Sequence, residues 1–282
     1  MTRRRTRRML TIILIAIAVT YMLAALVMLA VQDSLIFPRH YAGTPTQERP
    51  PEPWMEAVWM NRADGARVEG WFLPAPGSES EPAPAVIFAH GNAMLIDHCL
   101  PVAKLYLDAG VSVLLPEFRG YGLSEGTPSQ KGITSDMVAF HDWLRARPEV
   151  GDQPIIGHGR SLGGGVIAQL ADQRDLDGLI IESSFTSIVA MARGYLMPPF
   201  ICRHPFRTDH VLRDLDTPVL IMHGNEDSII PIRHGRKLHE IARDSRFVEF
   251  DADHNDFPRD WARYADTLGA FLDDVVASSS DD

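Results

Sequence analysis

Residues 9–31 contain no charged side chain and are dominated by Ile, Leu, Ala, Val and Met, whereas the chain after them alternates short apolar runs with polar segments. At 1.5 Å rise per residue, 23 residues of helix span about 34 Å, enough to cross a hydrocarbon core of about 30 Å. The pattern predicts a transmembrane anchor at 9–31 preceded by a basic tail at 1–8. A cleaved signal peptide is the competing reading. Its apolar region is normally shorter and ends in a small-x-small site, and Met28-Leu29-Ala30 is a poor one. Twin-arginine export is a third, because Thr6-Arg7-Arg8-Met9-Leu10 loosely fits that signal.

Residues 32–53 read as a linker, extended at least over 40–53, where Pro45, Pro50, Pro51 and Pro53 break regular structure. Strand-like runs at 54–60 and 68–73 flank Asn61-Arg62-Ala63-Asp64-Gly65, a hairpin signature. From there, apolar runs at 85–89, 111–115, 154–157, 179–181, 219–222 and 247–250 alternate with helical spacing near 97–109, 132–147, 162–173, 231–243 and 260–276. That rhythm predicts an α/β domain over 54–276 with a mostly parallel sheet and function at the strands' C-terminal ends. One interval breaks it. Residues 187–216 are longer than one helix needs and contain Pro198-Pro199, Pro205 and several aromatics, so a small cap is expected at about 187–210. Residues 277–282 read as a disordered tail.

Charge sets orientation and narrows the partners. The net charge is −10, yet Arg3, Arg4, Arg5, Arg7 and Arg8 all precede the apolar run, leaving about −15 on the remainder. No basic stripe is left to grip a nucleic-acid backbone. By the positive-inside rule the tail is cytoplasmic and the domain extracytoplasmic, on the periplasmic side in a bacterium. Cys99 and Cys202 show no metal-ligand or redox spacing. Two buried free thiols are favoured over one long-range disulfide.

Gly159-Arg160-Ser161-Leu162-Gly163 matches G-x-S-x-G between an apolar strand and a helical stretch, the context of a nucleophile elbow. An ordinary glycine turn is the alternative. Gly159 and Gly163 let the chain turn sharply and the helix pack close, holding the Ser161 hydroxyl clear of the sheet. A serine hydroxyl needs a base, and such an elbow is served by an acid and a histidine that follow in that order. Asp227 lies just past the 219–222 strand, and His254 follows the strand ending at Phe250. Glu226 is the competing acid, one position early. Of eleven histidines, His98, His141, His234 and His239 fall in helical segments, His90 and His223 shape strand ends, and His158 abuts the elbow as buried support. The backbone N–H groups of Leu162 and Asn92 are the expected oxyanion donors, with Gly91 permitting the turn that aims Asn92 inward.

These motifs resemble the α/β-hydrolase superfamily, and within it the single-pass, membrane-anchored α/β-hydrolase domain proteins related to serine aminopeptidase-like hydrolases. The resemblance runs from about Gln32 to Phe271. It rests on Leu35-Ile36-Phe37-Pro38, His90-Gly91-Asn92-Ala93, Arg119-Gly120-Tyr121-Gly122 with Ser124 and Gly126, the run from Gly159 to Gly165, and Glu182-Ser183-Ser184-Phe185. Glu117 departs from the aspartate common in the family. The resemblance implies a sheet of about eight strands flanked by helices. It also implies hydrolysis of a carboxylic ester, thioester or amide in a small-molecule, lipid or acylated substrate, with no metal or other cofactor. A catalytically silent binding module and an acyltransferase using the same triad are the alternatives.

Overall fold

The computed structural model describes residues 2–46, 49–193 and 197–279. The first helix, α1 (Thr2–Ile36), runs 35 residues, beginning before the apolar stretch and ending one turn beyond it. Its most apolar 18-residue window has a mean hydropathy of 2.8 and none of it is buried in the protein, so it is long and apolar enough to cross a membrane. Pro38 cannot continue the helical hydrogen bonding. The preceding Phe37 turns inward, 3% exposed, with its ring 5.1 Å from His204 and 6.4 Å from Phe206.

The sequence predicts an extended linker after α1. It has little regular structure, as its prolines require, but it is docked. Arg49 enters a buried acidic cluster, donating to Glu69 (Nε to Oε1 3.0 Å, Nη2 to Oε2 2.9 Å) and to Asp97, with Glu117 3.8 Å away. Its guanidinium also lies 4.7 Å from the centre of the Trp71 ring. Thr46 donates to Asp97 through both its backbone N–H and its hydroxyl. Prolines prevent a helix or strand here; they do not prevent anchoring by one buried cation.

The domain is built on an eight-stranded sheet of order β1-β2-β4-β3-β5-β6-β7-β8. The first two strands, β1 (Glu56–Asn61) and β2 (Arg67–Leu73), form the expected hairpin, and β2 runs antiparallel to β4. The parallel strands are β3 (Ala85–Ala89), β4 (Ser112–Pro116), β5 (Ile155–Arg160), β6 (Gly178–Glu182), β7 (Val219–Gly224) and β8 (Ser245–Phe250). Their central members read as continuous apolar runs because both faces are covered. In β6, Leu179 and Ile181 face one core while Ile180 faces the other; in β7, Val219 and Ile221 oppose Leu220 and Met222. Helices α3 (Gln130–Arg145) and α4 (Leu162–Ala171) belong to the first core, α2 (Leu100–Asp108) and α8 (Trp261–Ser279) to the second.

Between β6 and β7 lie α5 (Ile188–Arg193), a short 3₁₀ turn at Pro199–Ile201 and α6 (Thr208–Asp214); α7 (Arg233–Ile241) follows β7. The expected cap therefore begins as a lid but ends in the core, since Phe206 and Thr208 are fully buried. Tyr195 and Leu196, read from the sequence as cap residues, lie outside the described residues. Of the tail expected to be disordered, the described part, 277–279, is helical. Ser278 and Ser279 stay helical, their hydroxyls donating to the carbonyls of Asp274 (2.6 Å) and Val275 (3.0 Å); residues 280–282 lie outside the described residues.

The cluster around Arg49 carries a stability prediction. Removing the cation leaves buried carboxylates unpaired, which costs about 3–5 kcal/mol. Arg49→Met should lower the thermal midpoint of the detergent-solubilised protein by on the order of 10 °C. An unchanged midpoint would mean that the segment only lies along the surface.

Candidate active site

Ser161 sits between the end of β5 and the start of α4 with φ 54° and ψ −117°, a strained conformation for a residue with a side chain. The surroundings impose it. A methyl group at Gly159 would lie 2.1 Å from the Gly163 carbonyl oxygen, and one at Gly163 would lie 1.9 Å from that of Ala89. Only glycine permits α4 to approach β3 and β5 so closely. The turn is also tied to β6: Ser161 N–H donates to Glu182 O (2.8 Å), and the Ser184 hydroxyl donates to Ser161 O (2.7 Å).

His254 and Asp227 come from the loops after β8 and β7. His254 Nε2 lies 3.0 Å from Ser161 Oγ, and its Nδ1 lies 2.7 Å from Asp227 Oδ2. All three residues are less than 9% exposed. Asp227 Oδ1 accepts from the N–H groups of Ile229 (3.0 Å) and Ile230 (2.7 Å), and His223 Nε2 stands 3.5 Å from Oδ2. Burial by itself would raise the Asp227 pKa. The hydrogen bonds from His223, His254 and Ile230 outweigh it and hold the carboxyl well below the usual carboxylate range. Asp227 is therefore ionised at neutral pH, and an ionised carboxylate fixes the imidazole with its proton on Nδ1. Glu226 points to the surface, paired with Arg259 at 2.8 Å.

The loop after β3 lies against the serine. A methyl at Gly91 would be 3.7 Å from Ser161 Cβ. Tyr121 donates its hydroxyl proton to Asn92 O (2.9 Å), which ties this loop to the one after β4. His90 is fully buried against Glu117 (2.9 Å), so the glutamate that departs from the family pattern joins this loop to the Arg49 cluster. Leu162 N–H is the first of α4 and has no intrahelical acceptor.

Sequence reasoning missed what stands behind His254. Arg160, the second residue of the elbow, donates to the carbonyls of His254 (2.9 Å) and Phe257 (3.0 Å). Glu182 lies 3.4 Å from Arg160 Nε, accepts from the Tyr264 hydroxyl (2.6 Å) and faces His158, whose other nitrogen meets the Tyr106 hydroxyl at 2.8 Å. Burial works against the Glu182 charge, but Arg160 and His158 outweigh it and lower its pKa. The signal was present as Arg160 and Glu182 in two recognised motifs; their pairing was not.

A cavity of about 670 Å³ opens over Ser161 and His254. Ile188, Val189, Met191, Met197 and Ile201 of the cap line it, as do Met28, Gln32, Leu35 and Ile36 of α1. Two aromatics of the predicted cap do not line it: Phe200 points outward, 86% exposed, and Phe206 is in the core. Two cap arginines are engaged as well, Arg203 with Asp33 (3.3 Å) and Arg207 with Asp209 (2.9 Å), while the Arg193 side chain lies outside what the structure describes. Cys99 and Cys202 are both free thiols, the first buried and the second half-buried at the cavity wall.

Comparison with known proteins agrees with the fold. Residues 84–208 match the family model of the alpha/beta hydrolase fold. The chain is 33% identical to the alpha/beta hydrolase domain-containing protein WAV2 of Arabidopsis thaliana over 69% of this chain and 70% of that protein. It is 32% identical to the lysophosphatidylserine lipase ABHD12 of Rattus norvegicus over 71% of this chain and 56% of that protein. The esterase Pf2001 of Pyrococcus furiosus superposes with a TM-score of 0.67 at 19% identity, covering 83% of this chain and 98% of that one.

His234 supplies a pH test of this packing. It sits at the start of α7, its Nδ1 accepting from Thr186 N–H (3.3 Å), and burial, Arg233 and His223 lower its pKa to about 4 against the opposing pull of Asp227. An unfolded histidine takes up its proton near pH 6.5. The unfolded chain therefore binds more protons between pH 6.5 and 4, so this stabilisation is complete above pH 6.5 and lost as pH falls toward 4. Thermal midpoints across that window should fall more steeply for the wild type than for His234→Gln. Parallel curves would contradict the assignment.

Proposed function

We propose that this chain, which belongs to the α/β-hydrolase family, is a membrane-anchored serine hydrolase that cleaves a carboxylic ester, thioester or amide through an acyl-enzyme. The observation that carries the reading is the unbroken relay from Ser161 Oγ to His254 (3.0 Å) to Asp227 (2.7 Å) at the floor of a largely apolar cavity. Ser161 Oγ attacks the carbonyl carbon as its proton passes to His254 Nε2. Negative charge collects on the former carbonyl oxygen, where the N–H groups of Asn92 and Leu162 receive it. Collapse breaks the bond to the leaving group, which takes the proton from Nε2. A water then attacks the acyl-enzyme, gives one proton to Nε2, and Ser161 regains it as the acid leaves. Asp227 stays ionised throughout and stabilises the imidazolium.

The apolar lining favours an acyl group, since each buried methylene is worth about 0.8 kcal/mol. The relationship to a lysophosphatidylserine lipase supports a lipid-like ester as the substrate. Five arginines before the apolar run and Asp33 after it support a cytoplasmic tail and an extracytoplasmic catalytic domain.

Four outcomes test the reading. Ser161→Ala should fold but lose all labelling by a fluorophosphonate probe, and Asp227→Ala should lower kcat by roughly a thousandfold or more. Labelling of Ser161→Ala equal to wild type would refute the assignment. Arg160→Met should lower kcat by about tenfold with KM little changed, because Arg160 positions the His254 loop and lies behind the reacting atoms; a change confined to KM would give it a binding role instead. Protease added to sealed spheroplasts should digest the domain, whereas protection would reverse the orientation.

A further inference from the structure

Met28, Gln32, Leu35 and Ile36 fall at the i, i+4, i+7 and i+8 spacing of one helical face, and all four line the cavity over Ser161. An anchor that served only as a tether would have no reason to present a defined face to the site. Here the face is fixed in place. Gln32 is 5% exposed and spends both ends of its amide on the cap: Nε2 donates to Ile201 O (3.0 Å), and Oε1 accepts from Arg203 N–H (2.8 Å). Asp33 adds Arg203 (3.3 Å) and His204 (3.2 Å).

Depth follows from the sequence. Gln32 immediately succeeds the apolar run, so the cap residues bonded to it lie at the outer edge of the membrane span. Met28 is one turn deeper, about 6 Å inside that edge. Phe200 adjoins Ile201 at the same level and is 86% exposed, an aromatic with no ring partner among the described residues where an interface would receive it. The apolar cavity is therefore walled on one side by a helix whose opposite side faces acyl chains.

We propose that the outer end of α1 is one wall of the acyl-binding site, and that the substrate is a membrane-resident amphiphile whose chain passes from the bilayer along Met28 and Leu35 to Ser161. This rests on the serine-hydrolase reading. Arg203 and Arg207 are already paired with Asp33 and Asp209, and the lining side chains are mostly apolar, which places recognition on the chain.

The test uses the full chain in phosphatidylcholine vesicles with p-nitrophenyl acetate, octanoate and palmitate. Met28→Trp and Leu35→Trp narrow that wall, and each variant is read as its own ratio of palmitate to acetate turnover in the same vesicles. Palmitate turnover relative to acetate should fall about tenfold, the cost of about two methylenes denied burial. Leu26→Trp, on the opposite side of α1 and 61% exposed, should match wild type. Should the tryptophans abolish labelling by misfolding, Met28→Ala and Leu35→Ala read the same wall as a smaller, palmitate-selective loss. Diluting the palmitate ester with inert phospholipid at constant bulk concentration should slow the wild type, while acetate turnover stays constant. A chain-length profile parallel to wild type in the wall variants, an equal change in Leu26→Trp, or a palmitate rate indifferent to dilution would each overturn the proposal. A wild type that neither labels nor turns over acetate would overturn the hydrolase reading beneath it.

Discussion

Everything at this site hangs on one close approach, the backbone of α4 against the ends of β3 and β5. With a methyl at Gly163 only 1.9 Å from Ala89 O, no larger residue fits, and the contact exists only because the chain turns through Ser161 at φ 54°. That approach sets the N-terminus of α4, and so the Leu162 N–H, beside the loop that follows β3. It also carries the hydroxyl above the sheet, where loops from β7 and β8 reach it. The strain, of order 1–3 kcal/mol, is offset by the hydrogen bonds that Ser161 makes to Glu182 and Ser184.

Two buried polar networks then hold the loops that the sheet leaves free. One runs from Tyr264 through Glu182 and Arg160 to the carbonyls of His254 and Phe257; the other runs from Arg49 through Glu117 to His90. Buried charges of this kind add little net stability over an apolar packing, because desolvation cancels most of their attraction. Their value here is geometric. A loop fixed by two guanidinium hydrogen bonds to its main chain keeps the imidazole within hydrogen-bonding distance of the serine, and apolar contacts alone do not specify that distance.

The central strands were legible because parallel strands buried on both faces read as unbroken apolar runs, and the positions of Ser161, Asp227 and His254 followed from where those runs end. What the sequence hid was pairing across long separations. Arg160 to His254, Arg49 to Glu69 and Gln32 to Arg203 leave no local pattern, because an arginine bound to a distant carbonyl looks the same as one in water. The docking of the proline-rich segment after α1 stayed hidden for that reason: composition reports the absence of regular structure and says nothing about docking. Phe200 and Phe206 show the same limit within the cap. They are six residues apart and equally apolar, yet one is fully exposed to the surroundings and the other lies in the core.

A tether and a wall make different demands on a helix, and on the proposed reading α1 meets both by dividing them along its length. For a tether, any apolar side chain at any rotation suffices, and the run up to Ala24 is exposed on every side. A wall needs a fixed rotation and depth. Sliding a helix by one residue moves it about 1.5 Å and turns it by about 100°, which would carry Met28 and Leu35 off the cavity. Gln32 forbids that slip, since one amide satisfies a cap carbonyl and a cap N–H together and no neighbouring position offers both. His204 extends the constraint inward. Gln130 N–H donates to its Nδ1, which puts the ring proton on Nε2, and that proton is given to Asp33. Burial lowers the His204 pKa, so this contact is a hydrogen bond of a neutral ring, and it does not depend on an ion pair that salt would screen. The register of the anchor is thereby tied to the first residue of α3, and through it to the same core that carries the serine.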